Sequence, residues 1–272
     1  VEVDIYQVDA FTSELFKGNP AGVCITAQAL DESLMLAIAR EMAVSETAFL
    51  SLDTMNLRWF TPEIEVRLCG HGTLATAHIL KEQGQYAQGE TIEFHTLSGI
   101  LTAELDRDAI HLSLPTPMLE MGTELRDDFL EALGIDASEV LDFATFDSKQ
   151  LLILDEASKV TELTPDFSRL LTLKGRGIVV SARADDDIDF ISRYFAPWVG
   201  VNEDPVTGSA HCALGVYWSR KLAKTRMKAY QASPRGGLVD VELIDPEMVR
   251  LSGQAVTTLR GRMMVKLSPE DE

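Results

Sequence analysis

The chain has 272 residues, 46% hydrophobic and 25% charged, ordinary for a globular protein and long enough for about two domains. A net charge of −19 argues against a nucleic-acid backbone or an anionic membrane as partner. Cys24, Cys69 and Cys212 are too few and too scattered for a disulfide framework, there is no C-x-x-C or zinc-type Cys/His spacing, and no apolar run is long enough to span a bilayer.

The opening VEVDIYQVDAFT alternates like a strand and has no basic leader, so a cytoplasmic location is expected. Asp31 can cap a helix over 31–43 that places Leu34, Ile38 and Met42 on one face. Strands are expected at 47–52 and 57–60. A helix over 72–83 stops at Gly84, and its small, apolar residues predict a central, buried position. Strands follow at 92–97, 100–105 and 109–115.

In the second half a helix over 123–135 carries Leu125, Phe129 and Leu133 on one face. Another is expected over 163–171, with Thr164 as N-cap and Pro165 at the first turn. Strands are expected at 150–154 and 177–182, then a second apolar, small-residue helix over 209–222. Further strands are read at 226–231, 237–244 and 255–267. The prolines of LPTPM (114–118) suggest a boundary between an N-terminal domain, 1–116, and a C-terminal domain, 117–254, with 255–272 returning to the first.

The most informative feature is an internal duplication. RWFTP (58–62) matches RYFAP (193–197), and EVRLCGHGTLATAHIL (65–80) aligns without gaps with EDPVTGSAHCALGVYW (203–218). SGILTAEL (98–105) then matches GGLVDVEL (236–243). Gly70 falls on Gly208 and Gly99 on Gly237 with the same offset of 138 residues. Ordered matches at a fixed offset point to two similar domains. Clefts are common where such halves meet. The helix openings Gly70-His71-Gly72-Thr73 and Gly208-Ser209-Ala210 are candidate linings, because each offers unpaired backbone N–H groups and the positive end of a helix dipole to a carboxylate.

VDAFT (8–12), GNPAGV (18–23), SETAF (45–49), RWFTP followed by EVRLCGHGT, and EDPVTGSA (203–210) together resemble the phenazine-biosynthesis PhzF-like family. The resemblance implies an α+β, diaminopimelate epimerase-like fold: two pseudo-symmetric domains, each a curved, mostly antiparallel sheet wrapped around a central helix. It also implies an active site between the domains, no metal or organic cofactor, and a homodimer. The family's catalytic positions fall on Glu46, His71, Asp204 and Ser209. Gly70, Gly72, Thr73, Gly208 and Ala210 are the expected substrate-binding positions. The implied reaction is a proton-shuttling isomerisation of a small carboxylate-bearing metabolite.

Such chemistry needs a base that becomes an acid within one turnover, and a carboxylate in apolar surroundings can do this. Glu46 lies between Ala43-Val44 and Ala48-Phe49-Leu50. His71 opens a helix, where the dipole disfavours an imidazolium. Racemases of this fold use two cysteines just before the helix-opening glycines. Here those positions are Cys69 and Thr207, and a hydroxyl cannot replace the second thiol. Cys69 therefore reads as a pocket wall or small buried hydrophobe. Gly72 and Cys69 also depart from the phenazine enzymes proper, which argues against their substrate. The competing readings are a racemase or epimerase using Glu46 with a non-cysteine second base, and a non-catalytic small-molecule binder. His78, His95, His111 and His211 read as structural.

Overall fold

The computed structural model describes residues 2–122, 125–185 and 187–265. It divides the chain into two compact units, one running to Ser113 and resuming at Ser252, the other covering Leu114–Leu251.

The first unit contains β1 (Glu2–Ala10), β2 (Asn19–Thr26), α1 (Glu32–Met42), β3 (Glu46–Ser51), β4 (Asn56–Phe60), β5 (Glu65–Val66), α2 (Gly70–Glu82), β6 (Thr91–Thr96), β7 (Gly99–Leu105) and β8 (Ile110–Pro115). β1 runs antiparallel to β2, β2 parallel to β3, β3 antiparallel to β4, and β4 parallel to β6. β6, β7 and β8 then form an antiparallel meander. The sheet curves around α2, which packs against β1, β2, β3 and β7. Leu74, Ala75, Ala77, Ile79 and Leu80 of α2 are all buried, which accounts for a helix almost free of charge. On the outer face, Met35 and Ile38 of α1 pack with Val3, Ile5, Phe49 and Phe60.

The second unit contains β9 (Glu120–Met121), α3 (Asp127–Leu133), β10 (Val140–Phe146), β11 (Lys149–Leu154), α4 (Ala157–Glu162), α5 (Phe167–Thr172), β12 (Ile178–Arg183), β13 (Phe190–Ala196), β14 (Val201–Glu203), α6 (Gly208–Leu222), β15 (Arg226–Gln231), β16 (Gly237–Asp245) and β17 (Met248–Gly253). Its pairings repeat those of the first unit. β10 is antiparallel to β11, β11 parallel to β12, β12 antiparallel to β13, β13 parallel to β15, and β15 antiparallel to β16. The buried helix α6 packs on β15 and β16. Phe129, Leu133, Val160, Leu170 and Phe195 form the apolar layer beneath α3, α4 and α5. The chain then returns to the first unit as β18 (Ala255–Met264), antiparallel to β1 along its whole length.

The central helices begin within two residues of their expected starts. Elsewhere the differences have local causes. α5 starts at Phe167, not near Thr164, because the Asp166 carboxylate accepts the Arg169 N–H at 2.9 Å and so caps the helix two residues later. α3 ends at Leu133 because Gly134 turns left-handed, at φ 73°. The expected helix start at 123–124 and the strand end at 266–267 lie outside the described residues. β2 has no counterpart in the sequence reading: its Pro20 and Gly22 look like a turn, yet a Cβ on Gly22 would lie 2.6 Å from Thr47 Oγ1 on the neighbouring strand.

The duplicated arginines and glutamates pair with each other in both units. Arg58 on β4 holds Glu65 on β5 with two bonds of 2.7 Å. Arg193 on β13 holds Glu203 on β14 with bonds of 2.7 and 2.8 Å. Each guanidinium also lies over a phenylalanine two residues on, Phe60 at 5.1 Å and Phe195 at 4.9 Å. The fork geometry fixes direction as well as distance. It ties the strand that leaves the sheet to the short strand that enters the central helix. Arg193 is the more enclosed and also donates to the Leu163 carbonyl at 2.7 Å.

Removing one partner of a buried pair leaves an uncompensated charge. Glu203→Gln is expected to lower stability by about 3–5 kcal/mol, read as a shift in the urea midpoint. Glu65→Gln, whose pair is about one-fifth exposed, is expected to cost about 1–2 kcal/mol. The reverse ranking would contradict this account of the two clamps.

Candidate active site

In the first unit the chain enters α2 through Cys69, an extended N-cap whose Sγ accepts the Gly72 N–H at 3.3 Å. Thr73 Oγ1 donates to the Cys69 carbonyl at 2.7 Å, so this hydroxyl spends its proton inside the turn. A Cβ on Gly72 would lie 2.9 Å from Trp59 Cδ1 and 3.0 Å from Cys69 Sγ. Glycine is what lets the helix open this close to β4. His71, the second residue of α2, is buried.

The parallel pairing of β2 and β3 sets Glu46 opposite Ala21, at the start of β3. Its Oε2 lies 3.3 Å from His71 Nε2. Ser45 Oγ is 3.4 Å from the same nitrogen, and Cys69 Sγ is 3.5 Å from His71 Nδ1. Donor atoms of Glu46, Cys69 and His71 all lie within 4.8 Å of one another. The Glu46 side chain is 22% exposed. Loss of hydration pushes its pKa above the ordinary carboxylate range, and the Ser45 hydroxyl pulls weakly the other way. The nearby β1–β2 connection is held by buried Asp9, whose Oδ2 accepts the Phe16 N–H at 2.7 Å.

In the second unit α6 opens from Thr207, the counterpart of Cys69. Thr207 Oγ1 donates to Asp204 Oδ2 in a short bond. Buried Gln231 braces the turn from β15: its Oε1 accepts the Thr207 N–H at 2.8 Å and its Nε2 donates to the Asp204 carbonyl at 2.7 Å. Gly208 and Ala210 are buried in the opening turn. Lys149 Nζ donates to Ser209 Oγ at 3.0 Å. An ammonium can only donate, so the Ser209 oxygen accepts and its own proton remains available to another acceptor. Burial, the largest influence, lowers the Lys149 pKa; Asp204 is one of the charges opposing it.

The structure therefore brings Glu46 to His71 in one unit, and Asp204 and Ser209 to one end of α6 in the other. His211 occupies the place of Thr73. Its Nδ1 donates to the Thr207 carbonyl at 2.8 Å, and burial lowers its pKa to about 4. His78 bonds Thr257 at 3.0 Å and His111 bonds Ser252 at 2.7 Å. The sequence reading passed over Ser45, Lys149 and Gln231. Ser45 stood in plain view beside Glu46, whereas Lys149 and Gln231 sit at strand ends with no local signal.

The family model described as phenazine biosynthesis-like protein matches residues 8–261. The chain belongs to the phenazine biosynthesis-like family. It is 47% identical over 264 residues to an uncharacterized isomerase of Halalkalibacterium halodurans, covering 96% of this chain and 98% of that one. It is 42% identical to an uncharacterized isomerase of Pseudomonas aeruginosa, covering 97% of this chain and 99% of that one. The crystal structure of a PhzF-family phenazine biosynthesis protein from Enterococcus faecalis superposes with a TM-score of 0.89 at 38% identity, covering 97% of this chain and 100% of that one. The fold is the diaminopimelate epimerase-like fold of that family. Among the described residues no helix is long and apolar enough to cross a membrane.

The raised Glu46 pKa has a thermodynamic consequence in this family member. The native state holds that proton more tightly than the unfolded chain does. Stability therefore falls as pH rises from the unfolded pKa through the higher folded one, and stays lower above it. Glu46→Gln removes this dependence. The variant's stability relative to wild type is expected to rise across that window and level off at higher pH, measured as urea midpoints over a pH series. A difference independent of pH would contradict the assignment.

Proposed function

We propose that this protein moves a proton between carbons of a small carboxylate-bearing metabolite, with Glu46 as base and then acid. Its class follows from kinship: the chain is an isomerase, in keeping with relatives 47% and 42% identical that carry that name. The observation that carries the reading is the placement of Glu46, a largely buried carboxylate with a raised pKa, 3.3 Å from His71 Nε2.

In the proposed step a Glu46 oxygen takes the proton from a carbon next to a carbonyl or conjugated group. The C–H electron pair moves into that system. Glu46, now protonated, returns the proton to another carbon of the same system, and charge and atoms balance without a co-reactant. A raised pKa suits both halves, because it strengthens the base and makes the acid hold its proton longer before returning it. We assign His71 to hold the carboxyl group and polarise the substrate. Asp204 and Ser209 are assigned to orient the substrate's polar groups, with Lys149 freeing the Ser209 proton for that purpose. Gly70, Gly208 and Ala210 are assigned to present backbone N–H groups to a carboxylate, whereas the Gly72 N–H is already given to Cys69 Sγ.

Incubation in D2O with a panel of small amino and hydroxy carboxylates, including cyclic dienes, tests this by mass spectrometry. Wild type is expected to introduce deuterium at carbon, and Glu46→Gln to be slower by about a hundredfold or more. Equal uptake by both proteins removes Glu46 as the base. Loss of optical rotation without movement of a double bond would favour the epimerase reading instead.

A further inference from the structure

We propose that Ser209 and Lys149 form a nucleophile–base dyad that cleaves esters of small carboxylic acids. This second activity uses only the second unit and does not involve Glu46. Lys149 Nζ stands 3.0 Å from Ser209 Oγ, the distance at which a base takes a hydroxyl proton. Ser209 is the second residue of α6, a helix of 15 residues whose N-cap, Thr207, makes no side-chain bond to the first turn. The Thr207 hydroxyl goes to Asp204 instead. The first-turn N–H groups beside Ser209 are thus not taken by the N-cap, in contrast to α2, where Cys69 Sγ takes the Gly72 N–H at 3.3 Å. The lysine is placed by a tight hairpin. β10 turns into β11 through Asp147 and Ser148, both at positive φ, 44° and 62°. Lys149 then opens β11, with Nζ 5.3 Å from the Phe146 ring.

The other candidate base at this opening is Asp204, and its Oδ2 already accepts the Thr207 hydroxyl. A charged Lys149 only donates to Ser209. A neutral one carries a lone pair at the same place, so the contact reverses and the serine hydroxyl donates to Nζ. Burial, the largest influence, favours that neutral form, and Arg176 acts with it. Asp147, Cys212 and Asp204 favour the charged form, as does the Phe146 ring face. Serine–lysine pairs are a known variant of the serine–histidine–aspartate arrangement.

In the proposed step Lys149 takes the Ser209 proton as Oγ bonds to the ester carbonyl carbon. The carbonyl electron pair moves onto its oxygen, where the N–H groups of Ser209 and Ala210, at the positive end of α6, stabilise it. Collapse of this tetrahedral species breaks the bond to the alkoxy oxygen, which leaves as the alcohol with the proton from Lys149. Water then attacks the acyl-serine while Lys149 takes its proton. The acid departs and the proton returns to Ser209. One ester and one water give one acid and one alcohol.

The test treats the full-length protein with a fluorophosphonate, which phosphonylates activated serines, and locates the adduct by peptide mass spectrometry. Hydrolysis of p-nitrophenyl acetate is followed in parallel. The adduct is expected on Ser209 and is expected to be absent in Ser209→Ala. Lys149→Arg keeps a cation beside Ser209 but has no neutral form to act as base. Labelling and hydrolysis by Lys149→Arg, and by the uncharged Lys149→Met, are expected to fall by about a hundredfold or more. A lysine that only braced Ser209 would leave the arginine variant near wild type. The wild-type labelling rate is expected to rise with pH as Lys149 loses its proton, and to level off below the range of an ordinary lysine.

Absence of an adduct on Ser209, equal labelling of wild type and Lys149→Arg, or a wild-type rate that does not rise with pH overturns the proposal. The two activities fail separately. Glu46-dependent deuterium uptake without an adduct on Ser209 removes only the dyad. An adduct without that uptake removes only the proton-transfer reading.

Discussion

In each unit everything at the functional end depends on a bidentate arginine–glutamate clamp. A sheet that packs around one helix must lead the chain out of a paired strand and into the interior. The turn that does so would otherwise be free to swing. Arg58–Glu65 and Arg193–Glu203 remove that freedom by fixing two strands in one orientation, with both guanidinium forks satisfied. The helix openings follow within a few residues of each glutamate. His71 follows Glu65 by six residues, so the clamp fixes the turn that carries it to within 3.3 Å of Glu46.

The common scaffold carries two different chemistries. At the start of α2 stand a thiol and an imidazole, with a carboxylate from β3 beside them. At the start of α6 the same positions hold Thr207 and Ser209, joined by hydrogen bonds to Asp204 and Lys149. The backbone logic is conserved between the halves: Thr73 donates to the Cys69 carbonyl, and His211 donates to the Thr207 carbonyl. The side chains that face outward from this logic differ. One opening gathers a thiol, an imidazole and a carboxylate; the other sets two hydroxyls against a carboxylate and an ammonium.

This division explains which features were legible in the sequence. The duplication, both central helices and most of the strands have local signatures in periodicity, small-residue content and glycine spacing. Glu46 and His71 lie in motifs that carry the family resemblance. β2 was hidden because Pro20 and Gly22 resemble a turn, although Gly22 is there to admit Thr47. The start of α5 was misplaced because three neighbouring residues can each begin a helix, and only the direction of the Asp166 carboxylate decides among them. Lys149 and Gln231 could not be found from local pattern, since their partners at 209 and 204–207 lie far along the chain and meet them only through sheet pairing and helix packing.

Cys69 shows how one opening turn takes different side-chain bonding in the two halves. Seen along the chain it is an N-cap, and its sulfur accepts the Gly72 N–H as a serine or threonine oxygen would. Seen in space it completes a three-sided cluster with a carboxylate and an imidazole. Thr207, its counterpart, makes no capping bond with its side chain and gives its hydroxyl proton to Asp204 instead. The same backbone turn is therefore closed by a thiol that accepts in one half and by a hydroxyl that donates in the other.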